Sequence, residues 1–226
     1  MEIKTIKTNW SKDDLSQNTY IIELEDSCVV VDAGCPIDEV KKATNKDIKS
    51  VFITHGHIDH IKYIEDYDSL NIPIYGHANI VQMLEDEDYN ASKLFGEGKK
   101  YLIKNLQQCK DQQIFNYNDI EIRCIYTPGH TIDGMSYLLL DKQTGKKILF
   151  SGDTLFSVAI GRVDLPTGDE QDLINSLQTI NSLDYDILLT GHGRESSKEE
   201  QTPKIPKWIR YLNITKMERL WNKQSN

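Results

Sequence analysis

Five of the six histidines in this chain stand where a pair of metal ions would use them. The densest piece is Thr54-His55-Gly56-His57-Ile58-Asp59-His60, an H-x-H-x-D-H string. It packs three imidazoles and a carboxylate into six residues, directly after the apolar run Ser50-Val51-Phe52-Ile53. That run reads as a buried strand, so the string lies on the turn at its end. His55 and His57 are two apart in extended chain and project the same way, whereas Asp59 and His60 fall where the next helix starts. Neutral imidazole nitrogens and carboxylate oxygens are donors that zinc, iron and manganese accept.

Three more residues share this placement. His130 lies in Tyr126-Thr127-Pro128-Gly129-His130-Thr131, after the strand-like run from Ile120 to Ile125. Asp153 lies in Ser151-Gly152-Asp153-Thr154, after Lys147-Ile148-Leu149-Phe150. His192 lies in Thr190-Gly191-His192-Gly193, after Ile187-Leu188-Leu189. Each follows a short apolar run and sits beside glycine, so each is expected on a loop held by a rigid strand end. No G-x-S-x-G nucleophile motif is present, so covalent catalysis by serine finds no support.

The elements that must hold these loops can be read coarsely. Glu2 to Thr8, Thr19 to Glu25 and Cys28 to Asp32 read as strands of a first sheet, the last two joined at Asp26-Ser27. Ser50 to Thr54 and Pro73 to Gly76 extend it, with helices expected over Asp38 to Thr44, His60 to Tyr67 and Ala78 to Glu85. Residues 86–100 read as a mobile loop near the mouth of the site. Ile120 to Thr127, Gly134 to Asp141 and Lys147 to Gly152 read as strands of a second sheet, with Thr144-Gly145 as a hairpin. A helix from Gly168-Asp169 to about Asn181 places Leu173, Ile174, Leu177 and Ile180 on one face. Ile187 to Thr190 reads as a last strand. Trp208, Leu212, Ile214, Met217 and Trp221 mark a closing helix over about 203–223. The expected architecture is α/β, an αββα sandwich of two packed mixed sheets with helices outside. It forms one domain over residues 1–226, with the metal loops along one edge.

These motifs resemble the metallo-β-lactamase superfamily over Asn18 to about Pro203. Asp32-Ala33-Gly34, after Cys28-Val29-Val30-Val31, is similar to its first motif, whose Asp supports a metal-binding histidine. Asp153-Thr154-Leu155-Phe156, with Ile160-Gly161-Arg162-Val163-Asp164-Leu165-Pro166, is similar to the glyoxalase II (hydroxyacylglutathione hydrolase) branch, especially its short bacterial members. The resemblance implies that His55, His57 and His130 bind one metal, that Asp59, His60 and His192 bind a second, and that Asp153 bridges both. It implies two divalent ions per chain, zinc first and iron or manganese as alternatives. The implied activity is hydrolysis of thioesters, 2-hydroxyacyl thioesters among them, by a metal-bound hydroxide that Asp59 positions. Arg162 is the candidate contact for a substrate carboxylate.

The chain departs from the family where glycines commonly follow the H-x-H-x-D-H string. Ile61-Lys62-Tyr63-Ile64 stands there and suggests different packing or a narrower approach to the site. The region after His192 is also shorter than the helical part of full-length glyoxalase II enzymes. Three other enzymatic readings stay open or are weakened. A persulfide dioxygenase resembles the same family and would hold one iron through His55, His130 and Asp153. A lactonase is a further alternative. A β-lactamase is disfavoured because no Cys stands where its second site often has one. A reading of a different class, a non-catalytic metal or redox carrier, lacks the flavin domain of such relatives.

Composition bounds the rest. The chain has 226 residues, 38% hydrophobic and 27% charged, enough to bury two stacked sheets. No apolar run approaches the ~20 residues that span a bilayer, and Met1-Glu2-Ile3-Lys4 opens no secretory signal, so a cytoplasmic protein without membrane contact is expected. Net charge of −9 gives no footprint for nucleic acid, and a small-molecule partner is expected instead. Lys204, Lys207, Arg210, Lys216, Arg219 and Lys223 make a basic tail against Glu218, read as a solvated helix face or a contact for an anionic group. Cys28, Cys35, Cys109 and Cys124 read as structural thiols, with Cys35 able to approach the site. His77 reads as structural or as lining the pocket. The sequence leaves the oligomeric state open.

Overall fold

The computed structural model describes residues 1–9 and 16–224, with side chains as far as Met217. The side chains of Glu218, Arg219, Trp221 and Lys223 therefore lie outside the described residues. The elements run β1 (Glu2–Asn9), β2 (Ser16–Glu23), β3 (Ser27–Val31), α1 (Ile37–Ala43), β4 (Asp47–Phe52), α2 (Ile58–Ile61), α3 (Ile64–Ser69), β5 (Ile74–His77) and α4 (Ile80–Glu85). The chain continues through β6 (Leu106–Cys109), β7 (Ile114–Asn116), β8 (Ile120–Tyr126), β9 (Met135–Asp141), β10 (Lys147–Phe150), α5 (Glu170–Ser182), β11 (Ile187–Leu189), β12 (Ser196–Ser197), α6 (Lys198–Gln201) and α7 (Ile205–Gln224).

Two sheets result, ordered β1-β2-β3-β4-β5-β6 and β12-β11-β10-β9-β8-β7. Both are mixed. In the first, β1, β2 and β3 pair antiparallel and β3 to β6 pair parallel. In the second, β10 and β11 are parallel and the remaining pairs antiparallel. Parallel neighbours need crossovers, which α1, α3 and α4 supply in the first sheet.

Strand alternation sorts side chains into three apolar layers. Val29 and Val31 of β3 point into the space between the sheets with Tyr20, Ile22, Phe52, Ile122, Tyr137, Leu139 and Phe150. Their neighbours Cys28 and Val30 point the other way, onto Val40, Ile61, Ile64 and Tyr67 of the helices. On the far face of the second sheet, Ile125, Leu138, Leu149 and Leu188 meet Leu173, Leu177 and Ile180 of α5 and Leu212 of α7. This is the αββα sandwich expected from the sequence.

The differences have local causes. The helix expected over His60 to Tyr67 is two pieces, α2 and α3. The Ala33 amide takes the His60 carbonyl at 2.8 Å, and the Tyr63 amide turns back to the Ala33 carbonyl at 3.0 Å, so the helical ladder cannot run through. Strands β6, β7 and β12 were not foreseen. They are short, and Gln107 and Gln108 of β6 are exposed, so no apolar alternation announces an edge strand. Residues 86–100 form no strand, but they are tied down rather than loose. Asp86 accepts from the amides of Asp88 and Tyr89, and Asn90 reaches the Lys99 carbonyl at 2.8 Å. Among the described residues, no helix is long and apolar enough to cross a membrane.

Phe52 is the centre of the layer between the sheets. Its ring meets Tyr75 at 5.1 Å, Phe115 at 5.0 Å and Tyr137 at 5.1 Å, and it is fully buried. Phe52→Ala should cost about 3–5 kcal/mol of unfolding free energy through lost burial and the cavity left behind. Denaturant titration of the two proteins measures it, and a loss below about 1 kcal/mol would show that the sheets are not held together through this ring.

Candidate metal centre

The expected donors gather along one edge of the sandwich, on loops just beyond strand ends and, for Asp59 and His60, in the short helix α2; Arg162 lies further on, between β10 and α5. β3 delivers Asp32, β4 the His55–His60 string, β8 His130, β10 Asp153 and β11 His192. Hydrogen bonds stitch the sheets together there. The Met135 amide donates to the Thr54 carbonyl at 2.8 Å, the Asn18 amide to the Gly191 carbonyl at 2.8 Å, and the Tyr20 hydroxyl to the Thr190 carbonyl at 2.7 Å. Gly191 is needed for close approach: a Cβ there would run into the Asp153 carboxylate and the His60 ring.

The geometry gathers ring nitrogens and carboxylate oxygens into three overlapping groups: His55, His57 and His130; His55, His60 and Asp153; and Asp59, His60 and His192. Within each, the ligand atoms lie within 4.8 Å of one another. His130 Nε2 is 3.0 Å from His57 Nδ1, and His192 Nε2 is 3.1 Å from Asp59 Oδ2. Asp153 stands between the groups. Its Oδ1 is 3.3 Å from His60 Nε2, and its Oδ2 is 3.3 Å from His192 Nε2 and 3.7 Å from His130 Nε2.

Outer hydrogen bonds set the tautomers. His130 Nδ1 donates to the Arg162 carbonyl at 2.7 Å and His192 Nδ1 to the Ser16 carbonyl at 3.0 Å. His60 Nδ1 donates to Asp32 Oδ2 at 2.8 Å. The Thr54 hydroxyl donates to Asp32 and therefore accepts from His55 Nδ1 at 3.1 Å. In all four rings Nε2 is left to face the centre, as metal-binding histidines require. Asp32 itself has φ of 66°, a left-handed backbone that Asp tolerates better than most residues.

These atoms fit a cation. Nε2 of His55 and His60 and Oδ1 of Asp153 are buried without a hydrogen-bond partner, while His57 turns Nδ1 toward His130 Nε2. Each orphan would cost about 1–3 kcal/mol, and a cation at the centre satisfies them together. The charge balance agrees. Burial would raise Asp153, but the neighbouring imidazoles of His192 and His60 overcome it and hold the carboxyl well below the usual carboxylate range. Asp59 is likewise lowered, with burial overcome by His60 and His192. Burial lowers His55, His57 and His130, with His57 near 3. His60 and His192 move the other way, because Asp59 and Asp153 outweigh burial, and His192 rises to about 10.

The cavity over this centre, about 470 Å³, is bounded by His57, Asp59, His130, Asp153 and His192 at its floor. Arg162 reaches its wall, but its guanidinium is held by Asp164 through two bonds of 2.7 Å. Lys62 pairs with Glu97, and neither Lys62 nor Tyr63 lines the cavity, so the missing glycines change local packing rather than access. His77 is structural: it accepts from the Asn79 amide at 3.2 Å and stacks on Tyr126. Cys35 is buried in the helix-side layer, away from the cavity wall. Of the basic tail, Lys204 binds the Ser157 carbonyl at 2.8 Å and Lys216 reaches Gln171 of α5, and none of its described residues lines the cavity.

Sequence reasoning missed Asp133. Its carboxyl is buried beside Gly56, and burial pushes its pKa to about 7. In the sequence it reads as an ordinary turn acid before Gly134, and nothing local marks it.

The protonation pattern yields a measurable sign. A metal entering the Asp59, His60 and His192 group must displace protons, because His192 stays charged up to about pH 10. The His55, His57 and His130 group is already neutral at pH 7. Calorimetric titration in buffers of different ionisation enthalpy should show proton release with one metal equivalent and little with the other. The proton-coupled affinity should strengthen as pH rises from 6 to 9. Equal proton release for both equivalents would contradict the assignment.

Comparison with known proteins agrees with the geometry. Residues 13–192 match the family described as the metallo-beta-lactamase superfamily. The chain is 27% identical over 199 residues to "Probable metallo-hydrolase YqgX" of Bacillus subtilis, covering 84% of this chain and 92% of that protein. It is 27% identical over 180 residues to the cytoplasmic hydroxyacylglutathione hydrolase of Saccharomyces cerevisiae, covering 76% of this chain and 60% of that one. Among solved structures, BLEG-1 B3 metallo-beta-lactamase superposes with a TM-score of 0.77 at 25% identity, covering 92% of this chain and 99% of its own. With its two mixed sheets and its His and Asp groups at one sheet edge, the chain belongs to the metallo-beta-lactamase superfamily of metal-binding hydrolases.

Proposed function

We propose that this protein is a dinuclear metal-dependent hydrolase of small-molecule acyl thioesters, related in activity to glyoxalase II, with 2-hydroxyacyl thioesters among its substrates. The observation that carries the reading is the doubled donor set sharing Asp153 at the floor of an open cavity. His55, His57 and His130 would hold one ion and Asp59, His60 and His192 the other, with Asp153 serving both. Zinc is the first choice for imidazole and carboxylate donors, and iron or manganese accept the same set. Bound there, such ions supply a Lewis acid for a carbonyl oxygen and activate water near neutral pH.

The chain's own residues supply the remainder. Asp59 is held ionised at the cavity floor, so its carboxylate can accept a hydrogen bond from the attacking water and orient it. Asp32 fixes the His60 ring through Nδ1, and the Arg162 carbonyl fixes His130. A thiolate leaves readily, since its conjugate acid has a pKa of ~8.5. The cavity wall accordingly needs no strong general acid. Apart from the candidate ligands, the described polar side chains on it are Ser157 and Arg162. The relation to the yeast hydroxyacylglutathione hydrolase supports a thioester over other acyl bonds.

Zinc-loaded protein given a panel of thioesters should release free thiol, and removal of metal by a chelator should abolish that release. Asp153→Ala should weaken both metal equivalents by at least about 100-fold, the upper range for losing even an outer partner. His192→Ala should weaken mainly one. Elemental analysis and thiol assays on the same samples decide it. One tightly held iron, with oxygen uptake on a persulfide and no thiol release, would replace this reading with the dioxygenase alternative.

A further inference from the structure

Among the described residues, the walls above the metal centre are mostly apolar. Leu94 and Phe95 come from the segment between α4 and β6, and Phe156, Val158, Ile160 and Leu165 from the segment between β10 and α5. Leu94 is 64% exposed and Val158 66% exposed, and Phe95 is also open to solvent. Scattered exposed apolar residues need no explanation, but a set converging on one cavity does. The cavity's volume is within the ~300–1,000 Å³ common for small-molecule sites. The wall also offers little to an anion: its one guanidinium is already bound twice by Asp164. Helix α7 contributes no described residue to the cavity.

We infer that the site selects thioesters whose acyl half is an uncharged apolar chain, and that Leu94, Phe95 and Val158 are the residues that select it. The inference rests on the thioesterase reading and deepens it. Soluble thiols that carry acyl groups are charged or strongly polar. The half of a thioester that can lie on an apolar wall is therefore the acyl half. Among the described residues, a tripeptide thiol with two carboxylates would find on this wall one guanidinium, already paired, and few other polar groups. In the reaction the carbonyl carbon–sulfur bond breaks, a carbon–oxygen bond forms from water, and the thiol leaves with one proton of that water. The second proton of that water goes to solvent, and the acyl chain stays on the wall as its carboxylate product.

The test uses metal-loaded full-length protein and thioesters of one small neutral thiol, N-acetylcysteamine, with acyl chains from acetyl to decanoyl. kcat/KM should rise about two- to fourfold per added methylene, up to the fourfold of full burial, until the chain fills the cavity. Leu94→Asp and Val158→Asp alter exposed side chains and leave the core intact. Each should flatten this slope, lowering the octanoyl-to-acetyl ratio at least tenfold. Calorimetric binding of acetate, butanoate and octanoate gives a second readout that needs no turnover, and octanoate should bind more tightly by the same slope. A flat series in both readouts, or lactoyl-glutathione outrunning every alkyl substrate, would overturn the inference while leaving a hydrolase. Chain-dependent alkanoate binding without cleavage of any thioester would support the wall's role and remove the thioesterase reading instead.

Discussion

The buried carboxylate of Asp32 is the point on which the rest of the site hangs. It accepts from the Thr54 amide at 2.7 Å, from the Thr54 hydroxyl and from His60 Nδ1, and it does so from a left-handed backbone at the end of β3. These bonds fix where the H-x-H-x-D-H loop leaves β4 and which nitrogen His60 turns toward Asp153. An acid this deeply buried needs several donors to stay in place. The loop supplies them, and in return the loop has only one course to follow.

The centre also depends on both sheets at once. The first sheet carries the His55–His60 string, and the second carries His130, Asp153 and His192. Neither sheet alone can assemble a group of donors around Asp153. Closure of the sandwich over Phe52 and Tyr137 is therefore part of making the site, and the Tyr137 hydroxyl ties the layers directly by donating to the Ile53 carbonyl at 2.6 Å. The same closure buries Nε2 of His55 and His60 and Oδ1 of Asp153 without a hydrogen-bond partner. Folding and metal binding share one free-energy account at this edge.

Much of this was legible in the sequence because metal chemistry uses few residue types at narrow spacings. His55, His57, Asp59 and His60 could be named from one string, and His130, Asp153 and His192 from the glycine-flanked ends of apolar runs. Asp32 was visible through its short motif. The inward and outward alternation of Cys28 to Val31 was equally plain. What was not legible depends on contacts distant in sequence. The break after α2 comes from Ala33 taking the His60 carbonyl, twenty-seven residues away along the chain. Asp133 is unusual because it is buried behind Gly56, a fact of packing rather than of local pattern. The edge strands β6 and β7 carry too little apolar periodicity to register.

Chemistry and selectivity sit on different parts of the chain. The donor loops are short, glycine-flanked and buried, and a change in any of them disturbs Asp153 or the histidine tautomers. The cavity walls come from the segments after α4 and after β10: the first is exposed at Leu94 and Phe95, whereas the second also packs on the centre through Phe156, Gly161 and the Arg162 carbonyl. Arg162 shows the separation within one residue. Its carbonyl belongs to the centre, holding His130, while its side chain turns to Asp164 at the surface. The exposed wall residues Leu94 and Val158 stand apart from the donors in a way that Phe156, whose ring meets that of His192 at 5.9 Å, does not. Family membership therefore speaks to the metal centre, whereas the substrate class proposed above rests on Leu94, Phe95, Val158 and their neighbours.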